Sequence, residues 1–287
     1  MKRLDVKGAA VLVTGSARGI GMGLAEQFAS RGANLVLVDL PSERESLERL
    51  AGRLEREYAV RTWIICSDLT AADGPERVLC EVERGGIRVS VLVNNAGICW
   101  YGRFHEMPLD RLFSMILLNC VAYAKMARLF LPMIMESREG GVLNVSSVSA
   151  FQPVPTLALY AATKAFTQSL TEAIRLELPS SSRVRVATLN PPFTRTSLID
   201  DAGVPGDYVP MKMSLMEVHD VVHQGVEAFV RGRTRHVPGL FNKVLYQMLL
   251  PVTPRMIMDA LTRVLTMRLS DILPGILALF GPGRSAR

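Results

Sequence analysis

An alternation of two kinds of segment limits what this chain can fold into. Six short runs rich in β-branched and apolar residues (AVLVTG, ANLVLVD, RTWIICSD, VSVLVNN, GVLNVSS and RVRVATLN) are separated by longer stretches of helical periodicity, among them residues 21–31, 42–58, 109–136 and 157–178. Strand, helix, strand in repetition builds a parallel sheet with helices on both faces. The runs are close to continuously apolar, as strands are when both faces are buried. No linker-like segment interrupts the pattern. The expected architecture is one α/β domain with a doubly wound parallel sheet over residues 1–237, followed by a C-terminal helical extension over residues 238–287.

Composition closes several other routes. With 49% apolar and 21% charged residues over 287 positions, the chain can bury a large core and lacks the bias of a disordered or fibrous protein. Its four cysteines, at 66, 80, 99 and 120, form no C-x-x-C pair and have no histidine at ligand spacing. That predicts neither a zinc site nor a disulfide framework, and a reducing, cytoplasmic setting. The basic start MKRLDVK leads into an apolar run too short for a signal peptide. The apolar stretch 272–283 is too short to span a bilayer and is broken by Pro274. The net charge of +6 is scattered rather than interleaved with aromatics, which argues against nucleic-acid binding. Residues 237–287 stand apart, with six Lys/Arg against two Asp.

The first run ends in TGSARGIGMG. The spacing Gly15-x-x-x-Gly19-x-Gly21 suits a strand–loop–helix turn whose backbone can approach a pyrophosphate, with the next helix N-terminus favouring the negative charge. Asp39 ends the second run, where an acid can bond the 2′-hydroxyl of an adenosine ribose and repel a 2′-phosphate. Arg18 pulls the other way, but Leu40, Pro41 and Ser42 follow Asp39 and offer no cation. NAD is therefore expected in preference to NADP. Farther on, Tyr160 and Lys164 stand at i and i+4, one helical turn apart. An ammonium beside a phenol favours the phenolate and lowers the tyrosine pKa, so this pair is a candidate proton donor and acceptor. Ser147 closes the fifth run, at the carboxyl end where parallel sheets bind ligands.

Taken together, Thr14-Gly15-x-x-x-Gly19-x-Gly21, Asn94-Asn95-Ala96-Gly97, Asn119, Ser147, Tyr160-x-x-x-Lys164 and Asn190-Pro191 resemble the short-chain dehydrogenase/reductase family in order and spacing, over roughly residues 5–240. The resemblance implies a Rossmann-type sheet and hydride transfer between a nicotinamide and a carbonyl or alcohol carbon. It implies that Tyr160 is the general acid/base, that Ser147 bonds the substrate oxygen, and that Lys164 binds the nicotinamide ribose and tunes Tyr160. Asn119 would hold a water linking Lys164 to solvent. Gly15, Ser16, Arg18, Gly19, Ile20 and Gly21 would cradle the phosphates, and Asp68 with Leu69 would meet the adenine. Asn95, Ala96, Gly97, Pro191, Phe193, Thr194 and Thr196 would complete the cofactor site. One departure stands out: Pro192 occupies a place where the family usually has glycine, so the nicotinamide-side loop is expected to differ in shape.

Several segments resemble a branch of the family that acts on lipid-like or other apolar carbonyl compounds. Trp100 and Phe151, with Ser147 and Tyr160, are expected to line the substrate pocket beneath a Met-rich segment, residues 193–216. The expected substrate is a bulky apolar secondary alcohol or ketone. The alternative is an NADPH-dependent reductase of carrier-bound 3-oxoacyl or polyketide chains, for which Arg103 is the one nearby cation. A cofactor-binding protein without activity is disfavoured by the intact Asn119, Ser147, Tyr160 and Lys164. His105, His219, His223 and His236 have no partner pattern and are expected on the surface. The helices over 109–136 and 157–178 match those that family members pair across a two-fold axis, which implies a homodimer or tetramer. For residues 238–287 two readings stand: cover for the pocket or an interface, or a basic amphipathic patch on an anionic membrane surface.

Overall fold

The computed structural model describes residues 3–137, 139–179 and 181–266. Expectations for ILPGILALF, Arg284 and Arg287 lie outside these residues. All six runs form strands: β1 (Ala10–Thr14), β2 (Asn34–Asp39), β3 (Thr62–Cys66), β4 (Val89–Asn94), β5 (Gly141–Val145) and β6 (Arg185–Leu189). A seventh, β7 (Arg235–His236), has two residues and no β-branched signature. The seven strands form one parallel sheet in the order β3-β2-β1-β4-β5-β6-β7.

Alternate residues of each strand feed opposite faces. Val11 and Val13 of β1 and Leu35 and Leu37 of β2 join Leu24, Phe28, Leu47 and Phe229 on one side. Leu12, Val36 and Val38 join Val78, Val82, Met126 and Phe130 on the other. The helices over the first face are α1 (Gly19–Ala29), α2 (Arg44–Tyr58) and, late in the chain, α9 (Val218–Val230). Those over the second include α3 (Gly74–Arg84), α4 (Leu109–Ile116), α5 (Tyr123–Glu136) and α6 (Ala158–Glu177).

α4 and α5 are one continuous helix interrupted by a π-helical turn, Leu117–Ala122. By length and composition this helix, Leu109–Glu136, is apolar enough to cross a membrane. Its Met126, Phe130 and Ile134 are instead fully buried against the sheet, as in a core helix. The π turn adds one residue to the helical circuit and re-aims the side chains around it, a device common at functional sites. Asn119 sits within it.

Beyond β6 the chain makes two short helices, α7 (Ser197–Asp201) and α8 (Val209–Ser214), over the carboxyl end of the sheet. After β7 come α10 (Leu240–Lys243), a second π turn (Val244–Leu249) and α11 (Arg255–Thr266), with Pro254 just ahead of its start. None of the four cysteines is fully buried: Cys66, Cys99 and Cys120 are half-buried and Cys80 is exposed.

Candidate active site

The sheet order reverses between β1 and β4, the place where open α/β sheets bind ligands. There the two strand ends are stitched together. Thr14 Oγ1 accepts from the N–H groups of Asn95 (2.9 Å) and Ala96 (3.1 Å). Asn95 Nδ2 donates to the carbonyls of Thr14 (3.0 Å) and Gly15 (3.1 Å). Gly15 has φ +64°, a conformation that side chains disfavour. A Cβ at Gly21 would lie 1.9 Å from the Gly15 carbonyl oxygen, so α1 can start this close to the turn only with glycine there.

Asp39 borders the same turn. Its two carboxylate oxygens accept from Ala17 N–H (2.8 Å) and Leu40 N–H (2.9 Å). Burial raises its pKa, against those two backbone bonds, which lower it. Arg18 points outward and pairs with exposed Asp201 on α7 at 3.4 Å. Ser16 is turned inward and donates to the Val38 carbonyl at 3.3 Å. Ile20 packs against the core. Asp68 accepts from its neighbour Thr70, and Leu69 is buried. A Cβ at Gly19 would lie 3.3 Å from the Thr196 methyl, so the segment after β6 reaches back over the glycine turn.

The second half of the site lies at the carboxyl ends of β4, β5 and β6. Ser147 follows β5, and its hydroxyl accepts from Ser149 N–H at 3.2 Å and lies 3.5 Å from the Pro191 carbonyl. It neighbours the Tyr160 phenol, whose pKa it acts to lower. Lys164, one turn along α6, is buried and donates to the Val145 carbonyl at 2.9 Å. Asn119 accepts from Ile98 N–H (3.0 Å) and donates to Ile98 C=O (2.9 Å) and Thr163 Oγ1 (3.1 Å). Both of its N–H groups are thereby used, while Oδ1 keeps acceptor capacity. Gly97 borders this group: a Cβ there would lie 3.2 Å from Asn119 Oδ1 and 3.5 Å from Lys164 Nζ.

The pKa directions differ from the expectation of a depressed phenol. Burial pushes Tyr160 well up, the neighbouring Cys99 pushes the same way, and the Ser147 hydrogen bond opposes them. Burial also brings Lys164 down to about 8. The amine is anchored on a backbone carbonyl, with its nitrogen 5.6 Å from the Tyr160 ring centroid, so desolvation of both groups outweighs their attraction. A raised phenol holds its proton at neutral pH, which suits a proton donor.

The sequence profile of the short chain dehydrogenase family matches residues 9–204. The chain belongs to the short-chain dehydrogenase family. Among curated relatives, the very-long-chain 3-oxoacyl-CoA reductase of Bos taurus is 34% identical over 65% of this chain and 60% of its own length. The very-long-chain 3-oxoacyl-CoA reductase-B of Danio rerio is 32% identical over 75% of this chain and 70% of that one. The chain thus spans about three fifths of the bovine relative. Among solved structures, a short-chain dehydrogenase from Sphingobium yanoikuyae in complex with NADPH superposes with TM-score 0.73 at 29% identity, covering 97% of this chain and 98% of that one. A 7beta-hydroxysteroid dehydrogenase gives TM-score 0.74 at 26% identity, over 86% and 93%. The matched family is one of dehydrogenases, and the Sphingobium yanoikuyae neighbour was solved with NADPH.

Within that family frame, the structure sorts the expected substrate contacts. Tyr160 shares an apolar cluster with Cys99, Tyr101, Phe193, Val154 and Leu157. Tyr208 closes it edge-on, with ring centroids 5.4 Å from Tyr101 and 5.7 Å from Phe193. Phe151, expected in this lining, lies in another cluster with Val148, Val237 and Tyr246. Its ring stacks on Tyr246 at 6.2 Å and meets the Arg235 guanidinium at 5.7 Å. Trp100 folds over Gly102 and faces Phe104, Met107, Ala158 and Leu159.

His105, His219 and His223 are exposed as expected, but His236 is half-buried on β7. Burial, aided by the cations Lys243 and Arg233, lowers its pKa to about 4. Sequence reasoning passed over Thr163 and Thr156. Thr163 receives the Asn119 amide, and its position three residues after Tyr160, on the same helical face, was the available signal. Thr156 adopts φ +68°, and its carbonyl accepts from Gly102 N–H at 2.9 Å, while Tyr101 N–H donates to Ala202 C=O at 3.0 Å. These two bonds fix the loop after Gly97 between α6 and α7.

Pro191 and Pro192 are buried, and Thr194 Oγ1 donates to the Pro192 carbonyl at 2.9 Å. Thr196 Oγ1 donates to the Thr194 carbonyl at 3.2 Å. The loop after β6 therefore bonds itself through the threonines and needs no amide at Pro192.

Burying Lys164 has a measurable consequence. Moving its pKa from 10.5 to about 8 costs the folded protein about 3 kcal/mol wherever both folded and unfolded chains carry the proton. That holds below pH 8. Between about 8 and 10.5 the unfolded chain keeps the proton and the folded one releases it, so the cost fades and this residue's contribution to stability rises with pH. Tyr123 OH still satisfies the Val145 carbonyl when Lys164 is replaced. Lys164→Met, freed of cofactor, should unfold at equal or higher temperature than the parent at pH 7, with the difference shrinking by pH 10. Calorimetry across that range checks this, and a variant several degrees less stable at pH 7 contradicts it.

Proposed function

We propose that this chain interconverts a bulky apolar ketone and its secondary alcohol, using NAD(H) in preference to NADP(H). The observation carrying the reading is the meeting of the Tyr160 phenol and Ser147 hydroxyl at the sheet's carboxyl end, with Lys164 buried behind them and the glycine cradle across the switch point. The residues fit a dinucleotide: the cradle is a surface from which Cβ atoms are excluded, and the first turn of α1 offers N–H groups without intrahelical partners. Gly15, Arg18, Gly19, Ile20 and Gly21 would hold the phosphates and Asp39 the adenosine ribose. Asp68 and Leu69 would hold the adenine, and Asn95, Ala96, Gly97, Pro191, Phe193, Thr194 and Thr196 the rest. Ser16 would act through backbone alone, since its hydroxyl is committed to β2.

The nicotinamide, when bound, supplies the hydride in reduction and takes it up in oxidation. The chain's own residues handle the proton. In reduction, Tyr160 gives its hydroxyl proton to the substrate oxygen as negative charge gathers there, and Ser147 donates a hydrogen bond to the same oxygen. In oxidation Tyr160 takes the proton back. Lys164 lies behind the phenol to hold ribose hydroxyls and steady the charge on Tyr160. Asn119 fixes Ile98 to the π turn and keeps an Oδ1 lone pair for a water beside Lys164. Cys99, Tyr101, Phe193 and Tyr208 form an apolar wall at the reacting oxygen, which supports a bulky apolar substrate.

A second reading, reduction of 3-oxoacyl thioesters, is favoured by the names of the two reductase relatives. Reduction assays with ketones of graded bulk and with 3-oxoacyl-CoA esters of graded length separate the two. In either case Tyr160→Phe should lower turnover roughly a hundredfold or more while cofactor dissociation constants stay within a few fold. Retention of a large share of the rate would remove Tyr160 from its role.

Asp39 supports the cofactor preference. A charge-assisted bond to a ribose hydroxyl is worth about 1.5–3 kcal/mol, so Asp39→Ala should weaken NADH about tenfold or more. Loosening of the glycine turn affects both cofactors, so the quantity to measure is the ratio of their dissociation constants. A parent protein that binds NADPH more tightly than NADH overturns the assignment.

We also assign a homodimer at least. Phe113 and Leu109 on α4, Leu117 and Val121 in the π turn, and Phe166 and Leu176 on α6 expose large apolar side chains on adjoining helices. Light scattering should give a mass of two chains or more, and Phe113→Asp with Phe166→Asp should reduce it. A monomeric parent at working concentration contradicts the assignment.

A further inference from the structure

The C-terminal region presents its apolar side outward. In α11, Met256, Ile257, Leu261 and Val264 form a stripe along one face and are all exposed, at 85%, 51%, 49% and 59%. Among its described side chains, those this helix buries are Thr262 and Thr266, and Thr266 Oγ1 turns back to the Thr262 carbonyl at 2.6 Å. A helix that covers its own protein turns the other way, apolar face in. Leu240 and Val252, on the segment just before, are 80% and 77% exposed. α11 packs against α8, whose Val209 and Met213 are also exposed, so the apolar surface continues onto the segment above the active site. A contiguous patch of this kind marks an interaction surface rather than ordinary scatter.

Charge identifies what the patch meets. Between Leu240 and Thr266 the sequence has Lys243, Arg255 and Arg263 against the single acid Asp259, and Lys212 on α8 adds a further exposed cation. We propose that α10, α11 and α8 dock on an anionic lipid bilayer surface, with the apolar stripe in the acyl boundary and Lys243, Arg263 and Lys212 at the headgroups. A second copy related by two-fold symmetry brings the same cations to face these ones. The remaining chain, with Arg268, Arg284 and Arg287 against Asp271, also adds like charge. A bilayer carrying anionic lipid complements both the apolar stripe and its cationic rim. The consequence is that the apolar wall around Tyr160 opens beside the surface where an apolar substrate partitions.

The test is flotation of the full chain with large unilamellar vesicles, of phosphatidylcholine alone or mixed with phosphatidylglycerol. Turnover is not read, so the result is independent of the proposed activity. The parent should float with mixed vesicles, and less with phosphatidylcholine alone or at high salt. Ile257→Asp with Leu261→Asp should weaken partitioning about tenfold or more while leaving circular dichroism and cofactor binding unchanged. Lys243→Glu with Arg263→Glu should weaken it on mixed vesicles only. If the first pair disturbs α11, Leu240→Asp with Val252→Asp gives the same reading, since those side chains are more exposed. Absence of flotation, or flotation untouched by either aspartate pair, overturns the proposal. So does a fall in oligomeric mass in the aspartate variants, which would assign the patch to contact between copies.

Discussion

The stitch between Thr14 and Asn95 is the constraint on which the rest of the site depends. β1 and β4 are neighbours in the sheet, but their chains leave in different directions, and four hydrogen bonds hold the two exits together. That fixes the glycine turn at the start of α1 on one side. On the other it fixes the loop through Ala96 and Gly97, which passes within reach of Asn119 and Lys164. The glycine turn and the Tyr160, Lys164 and Asn119 group are thus parts of one rigid backbone arrangement rather than separate features on flexible loops.

The Tyr160 end of the candidate site carries a cost in stability through Lys164, whose pKa desolvation brings down to about 8, whereas the raised Tyr160 phenol stays neutral at neutral pH and adds a cost only at high pH. The surrounding structure over-determines them: Lys164 is tied to β5 through Val145, Asn119 is tied to Ile98 and Thr163, and a π turn sets the direction of Asn119. Strain and costly burial concentrate where chemistry needs them and are tolerated because the two-sided core is extensive. Thr156, a β-branched residue, is likewise held at positive φ, with its carbonyl accepting from Gly102 N–H.

Much of this was legible in the sequence. The six apolar runs became six strands in register, because continuous burial leaves a compositional signature that a two-residue strand such as Arg235–His236 does not. Gly15, Gly21, Tyr160 and Lys164 were readable because each answers to a local rule: positive φ, close approach, or helical spacing. That Phe151 packs with Tyr246 and Trp100 with Phe104 and Met107 was not legible, because side-chain direction depends on turns the sequence does not encode by periodicity. The pKa of Tyr160 was misjudged because spacing reports the nearby ammonium but not the water excluded around both groups. His236 looked unremarkable because its place beside β6 at the sheet edge is a tertiary fact that a two-residue strand does not announce. For α11 the amphipathic pattern was plain, but which face it turns to the protein is a tertiary fact.

The central claim is that the Ser147, Tyr160 and Lys164 constellation carries a hydride exchange at a carbonyl carbon. Reduction of the best ketone substrate with NADH deuterated at the transferring C4 position tests it directly, with mass spectrometry of the alcohol. The account predicts one deuterium on the carbinol carbon, a hydroxyl proton drawn from solvent, and no labelled alcohol above background from Tyr160→Phe. Alcohol formed without deuterium at that carbon, or formed at an undiminished rate by the phenylalanine variant, would contradict it.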